Sequence, residues 1–120
     1  MVEVKVVTSE EEKQLVFHVR MKVFVEEQGV PRHLELDEFD QEAIHFIVQK
    51  DNEVIGAARL REIESGFGKI ERVCILEEFR GLKLGATIMN FIEQYAVEYG
   101  WRKLKLNAQV YAIPFYEKLG

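Results

Sequence analysis

The chain of 120 residues contains one cysteine, two prolines and one tryptophan. A lone cysteine, Cys74, excludes an internal disulfide framework, and no Cys/His spacing resembles a zinc site, so the chain reads as needing no metal. No apolar run exceeds a few residues, which leaves no segment suited to spanning a bilayer. The N-terminal Met1-Val2-Glu3-Val4-Lys5 alternates charge with apolar residues where a signal peptide would need a continuous apolar stretch. Basic excess is missing too: Lys+Arg 16 against Asp+Glu 21 gives a net charge of −5. That balance argues against nucleic acid as the main partner, although one local basic patch can still hold an anionic ligand. Together these absences predict a cytoplasmic, soluble, single domain over residues 1–120 with no nucleic-acid and no membrane partner.

What is present is an ordinary globular composition, 48% hydrophobic and 31% charged. Folding at this size buries about two thirds of the unfolded chain's surface, enough for one core. Val2, Val4 and Val6 alternate with charge, the period of a half-buried strand. Thr8-Ser9 offers a helix N-cap, with Glu10, Glu11 and Glu12 in the first turn and an apolar stripe of Leu15, Val19 and Val23 behind it. Gly29-Val30-Pro31 ends that helix at the latest. Residues 29–42 read as an acidic loop with room for a short helical turn. From residue 43 the period changes to two: strands over 43–48, Val54 to Ile63 and Lys69 to Leu76 are joined by the turns Asp51-Asn52 and Ser65-Gly66, an antiparallel meander. An amphipathic helix from about Leu84 to Tyr99 follows, then a short strand Leu104-Lys105-Leu106 and a last helix over Ile113 to Leu119. The order β-α-β-β-β-α-β-α is that of one α/β (α+β) domain.

Chemistry concentrates where the third strand of the meander runs into the amphipathic helix. Val73-Cys74-Ile75-Leu76 leads into a loop containing Arg80, Gly81, Lys83 and Gly85. Free N–H groups and the positive dipole end at a helix N-terminus favour phosphate, glycines let the backbone come close to it, and Arg80 and Lys83 add positive charge. There is neither a Gly-Lys-Ser/Thr nor a G-x-G-x-x-G pattern. On its residues alone the segment fits a phosphate-binding turn or an ordinary connecting loop.

The run Arg80-Gly81-Leu82-Lys83-Leu84-Gly85-Ala86 resembles the pyrophosphate-binding loop R/Q-x-x-G-x-G/A of the GNAT N-acetyltransferases. A second run, Leu106-Asn107 leading to Phe115-Tyr116-Glu117-Lys118-Leu119-Gly120, resembles that family's later signature, an Asn after a strand followed by Phe-Tyr-Glu-Lys-Leu-Gly. The resemblance implies a mixed, mostly antiparallel sheet flanked by helices. It also implies acetyl-CoA as co-substrate and direct transfer of acetyl to a primary amine of a small molecule. On the same resemblance the backbone of Val73, Cys74 and Ile75 binds the pantetheine arm and polarises the thioester carbonyl, residues 80–86 hold the pyrophosphate, Asn107 bonds the cofactor arm, and Tyr116 protonates the departing thiolate. A tyrosine hydroxyl, with an ordinary pKa of about 10, stays protonated at neutral pH for that task. Two departures stand out. Lys83 occupies the loop's central glycine position, so its Cβ keeps the backbone from a pyrophosphate unless φ is negative. The chain also stops at Gly120, where the family continues with two more strands. That ending predicts either a C-terminally truncated domain or a homodimer in which a second chain covers the sheet edge.

Glu71 is the candidate general base, since strict alternation puts it on one face with Val73 and Ile75; a strand Glu paired with Arg72 or Arg59 is the plainer alternative. Cys74 has no His or Asp at an informative spacing and reads as core, which favours direct transfer over an acyl-enzyme route. His45 faces either the core or the acceptor cleft, while Arg20 and Glu27 border an acceptor pocket or form a solvated face. The acidic cluster in 35–42 would attract a cationic amine if it lined the cleft, and is solvated surface otherwise. Two other functions fit the same motifs: a non-catalytic acyl-CoA-binding module, and an acetyltransferase acting on protein amines.

Overall fold

The computed structural model describes residues 2–106 with their side chains and the backbone of 109–112. The alternating N-terminal residues form β1 (Val2–Val6), and Ser9 caps α1 (Glu10–Arg20) by accepting from the Glu12 amide. The helix does not end at Arg20. Its hydrogen bonding widens into a π-helical segment, Met21–Glu27, in which the Gln28 N–H reaches back to the Val23 carbonyl at 3.1 Å. Gly29, at φ +77°, then turns the chain. The acidic loop holds two helical turns: α2 (Arg32–Glu35) and a 3-10 turn, Glu38–Gln41, closed by reciprocal bonds between Asp37 and Asp40.

The meander is β2 (Ile44–Lys50), β3 (Glu53–Glu64) and β4 (Phe67–Ile75). A 3-10 turn, Glu77–Phe79, leads to α3 (Leu84–Glu98), and β5 (Lys103–Leu106) follows. The sequence pattern predicts no further strand, yet Gln109–Ala112 forms β6 and pairs antiparallel with β5. The helix expected over 113–119 lies outside the described residues. The six strands lie in chain order, antiparallel at every junction except the parallel pair β4–β5.

Each face of the sheet is covered by one long helix. Leu84, Ile88, Ile92 and Ala96 of α3 pack on Phe46, Val48, Leu60, Ile70 and Leu104. Val16, Val19 and Val23 of the first helix pack on Ile47, Ala57, Cys74 and Leu76. Ile88 and Ile92 are fully buried, each contributing about 1.5–3 kcal/mol by leaving water. Among the described residues no helix is long and apolar enough to cross a membrane.

Candidate active site

Two features of β4 open the site. The first is a bulge. Cys74 pairs with Ala57 and Glu71 with Arg59, so β4 takes three steps where β3 takes two. The extra residue is Arg72, in the left-handed region at φ +57°. A non-glycine residue there costs roughly 1–2 kcal/mol, and Arg72 is held against it by Nε and Nη2 donating to the Glu35 carbonyl (3.3 and 3.2 Å) and Nη2 to Asp37 Oδ2 (3.2 Å). The second feature is a parting of strands. β5 pairs with β4 only over Phe67–Ile70, so among the described residues the 71–75 edge of β4 has no strand on that side. Backbone groups along such an edge are available to an extended ligand.

The parting makes a cleft of about 520 Å³, lined by β4 residues Ile70 to Val73, by Leu106 at the end of β5, by Gly85 and Met89 of α3, and by Phe24, Val30 and Glu35. Through Gly85 it adjoins a second hollow of about 300 Å³, lined by Ile75, Phe79, Arg80, Gly81, Lys83 and Leu84. The loop Arg80–Lys83 therefore opens directly onto the exposed edge of β4. Gly81 sits at φ +90°, and Lys83 sits at φ +60°. Lys83 does not take the negative φ that would relieve its Cβ: it adopts the glycine-like conformation, and the loop keeps its turn at the cost of some backbone strain. Helix α3 has no side-chain cap and no acidic residue in its first turn, and a Cβ built on Gly85 would meet nothing within 4 Å. A helix end of this kind, with open space at its first turn, fits a pyrophosphate.

Of the two cations in the loop, Arg80 is already engaged. Arg80 donates from Nε to the Ile75 carbonyl (2.9 Å) and from both terminal nitrogens to Glu27 (2.6 and 2.8 Å). That bidentate pair draws the Glu27 carboxyl below its ordinary range and raises the Arg80 guanidinium above its own. It ties the end of the π-helical segment to the phosphate loop.

The bulge also shifts side-chain parity. Strict alternation puts Glu71 with Val73 and Ile75, but these two pack towards the α3 core, whereas Glu71 points to the α1 face together with Cys74. There Glu71 Oε1 accepts from Arg59 Nη2 (2.6 Å) and Arg61 Nε (3.1 Å), and Lys69 Nζ lies 3.1 Å from Oε2. Burial raises its pKa, but these bonds outweigh burial and hold it at about 2. A carboxylate held that low is a weak proton acceptor.

Arg20 and His45 stand away from the cleft. Arg20 is wholly buried, its Nε donating to Glu35 Oε2 (2.9 Å) and its Nη1 to Asp40 Oδ1 (2.7 Å). Arg59, equally buried, bonds Asp37 and Asp40 as well as Glu71. The acidic loop is therefore no solvated lure for cations: Glu35, Asp37 and Asp40 turn inward and pin the loop to the sheet. Asp40, raised by burial but lowered further by Arg20, the Asp37 amide and Arg59, is held at about 2. Removing one partner of such a network costs about 3–5 kcal/mol. His45 packs edge-on against Phe17 and donates from Nε2 to the Asp40 carbonyl (2.9 Å), its pKa pushed down chiefly by burial. Burial likewise pushes the Cys74 thiol up to about 12, the state of a packed side chain rather than a nucleophile. Asn107 and Tyr116 lie outside the described residues. Sequence spacing alone missed Phe24, Val30, Arg72 and Met89 as cleft residues, and only Gly29-Val30-Pro31 marks any of their positions.

The same architecture is found in known proteins. The family model described as the acetyltransferase (GNAT) family matches residues 13–120. A Bacillus subtilis protein named as an N-acetyltransferase, YjcF, is 42% identical over 118 residues, covering 97% of this chain and 84% of its own length. The crystal structure of an N-acetyltransferase from Lactobacillus plantarum superposes with a TM-score of 0.82 at 21% identity, over 90% of this chain and 75% of that one. An acyl-CoA N-acyltransferase from Pseudomonas aeruginosa gives 0.79 at 24% identity, over 91% and 80%. With the family model matched over residues 13–120 and a relative 42% identical along nearly the whole chain, the protein belongs to the GNAT family of acetyltransferases.

Proposed function

We propose that the chain transfers acetyl from acetyl-CoA to a primary amine of a small molecule, in one direct step. The observation that carries this reading is the continuous groove from the uncapped N-terminus of α3 to the unpaired edge of β4. The residues present fit the cofactor. First-turn amides of α3 with Lys83 would hold its pyrophosphate, and the backbone of Val73, Cys74 and Ile75 would align its extended arm. When bound, the cofactor supplies an acetyl thioester, an acyl group already activated for attack by an amine.

The chain's own groups do the remaining work. Backbone N–H groups at the bulge polarise the carbonyl, because the extra residue frees them from the β3 ladder. The cleft of about 520 Å³ has room for a small acceptor. Glu71, with its cations around it, positions the wall of the cleft, and the proton of the attacking amine passes to water in the open cleft. Tyr116 protonates the leaving thiolate. Cys74, buried with its proton held, forms no acyl-enzyme.

Calorimetric titration with acetyl-CoA and coenzyme A, followed by coenzyme A release with a panel of primary amines, tests this. Saturable binding with turnover that falls in Tyr116→Phe is the expected result. Binding without turnover across the panel would replace catalysis with a carrier role, and no binding by the folded chain would overturn the reading.

A further inference from the structure

The parity shift at Arg72 places an unusual row of side chains on the α1 face of the sheet, beside the cleft. Across three strands Arg61 stands opposite Lys69, and Lys69 opposite Lys105. One pair further along, Phe67 stands opposite Lys103, whose ammonium lies 5.8 Å from the Phe67 ring. Like charges directly opposite on neighbouring strands repel. The only carboxylate set into the row is Glu71, and it is already shared by Arg59, Arg61 and Lys69. Arg59 has Asp37 and Asp40 as well, but among the described residues no carboxylate pairs with Lys103 or Lys105. Asp37 is committed to Arg59 and Arg72, and Glu64 stands past the far end of the row, opposite Phe67. Arg61 and Lys69 remain 20% and 31% exposed, and Arg72, at the cleft wall, 25%. A local surplus of positive charge on a chain of net charge −5 thus lies next to the cleft residues Ile70, Arg72 and Leu106, while Glu35, Asp37 and Asp40 of the acidic loop are committed inward.

Resting on the acyl-transfer reading of this site, we infer that the acceptor carries an anionic group, carboxylate or phosphate, near its amine, and that Arg61, Lys69, Lys105 and Arg72 receive it. A ligand of that sign would complete the charge balance that the described residues leave open, and its amine would lie over the cleft at Glu71 and Arg72. Cationic acceptors with no anionic group are disfavoured by the same field.

Matched amines decide it. O-phosphoethanolamine against ethanolamine tests phosphate, and an α-amino acid against its methylamide tests carboxylate. Each is titrated by calorimetry into protein saturated with coenzyme A, and each is also assayed for coenzyme A release with acetyl-CoA. At least one anionic member should bind about fivefold tighter than its neutral partner, a ratio that one added ion pair supplies. The advantage should appear in KM and shrink in high salt. Lys69→Gln with Lys105→Gln should erase the ratio, and Lys69→Arg with Lys105→Arg should keep it. Equal binding within both pairs, or a ratio that survives the double Gln variant, overturns the inference. Because binding is read without turnover, a preference for anionic amines in the absence of any acetylation would sink the acyl-transfer reading while leaving the anion site standing.

Discussion

Helices α1 and α3 begin in opposite ways. At α1 the Ser9 hydroxyl accepts from the Glu12 amide (3.1 Å), Glu12 reaches back to the Thr8 amide (2.9 Å), and Lys5 lies 3.0 Å from the same carboxylate. Glu10, Glu11 and Glu12 supply negative charge to the first turn. At α3 the preceding residue, Lys83, is left-handed, no side chain caps the turn, and the first turn holds no acid but has open space at Gly85. Both ends face the same demand from their unpaired amides and partial positive charge. One end meets it from within the chain and gains stability, while the other leaves its amides open, and it is there that we propose the pyrophosphate binds.

That contrast can be broken in several places. Gly85→Val puts branched carbon into the space shared by both hollows. It should weaken coenzyme A binding on the order of a hundredfold, with stability changed by less than about 0.5 kcal/mol, since nothing lies within contact of the new Cβ. Calorimetry and thermal unfolding of the same sample check both halves. Ala86→Glu makes the start of α3 resemble that of α1, and an exposed carboxylate there should weaken coenzyme binding about tenfold while slightly stabilising the helix. Ser9→Ala does the reverse to α1: stability falls by about 1 kcal/mol in denaturant unfolding, and coenzyme affinity does not move. A loss of affinity there would mean that the two ends are not independent. Acid gives the smallest effect. The Glu12 carboxyl is held below its ordinary pKa of 4.5, first by the Thr8 amide. Its contribution is complete above that value and is lost as pH falls through the lowered one. The Thr8 amide proton should therefore shift in NMR spectra with a midpoint below 4.5, while the amides of residues 84–86 do not titrate in that range.

Much of this was readable from the residues. Alternation located β1 to β4, the Thr8-Ser9 cap located α1, and the Arg80–Ala86 run located the start of α3, because those signals are local. What escaped depends on partners far along the chain. Glu35, Asp37 and Asp40 look like solvated charge until Arg20, Arg59 and Arg72 are brought to them from 15 to 37 positions away. Nothing in Met21–Glu27 distinguishes π from α bonding. The run Gln109–Ala112 lacks alternation and becomes a strand only because β5 offers it an edge. For Glu71 the residues leave a base or an Arg59 pair open, and the structure shows the Arg59 pair, since one extra residue in β4 turns Glu71 to the other face and into a ring of cations.

That single residue has a consequence for how the site can vary. A strand is read in two alternating letters, inside and outside, and Arg72 is a frameshift between the stretch that ends at Glu71 and the stretch that begins at Val73. Ahead of it, the half-exposed Lys69 can be exchanged to suit a new acceptor without touching the core, whereas Glu71 is held by the buried Arg59. Beyond it, Val73 and Ile75 keep their packing against the face under α3 whatever the acceptor is. Deleting Arg72 would close the bulge into plain alternation, with Lys69, Glu71 and Cys74 still on the α1 face and Ile70, Val73 and Ile75 still under α3, but it would remove the guanidinium that ties β4 to Glu35 and Asp37. One residue fewer in β4 should therefore spare the core and cost the wall of the cleft.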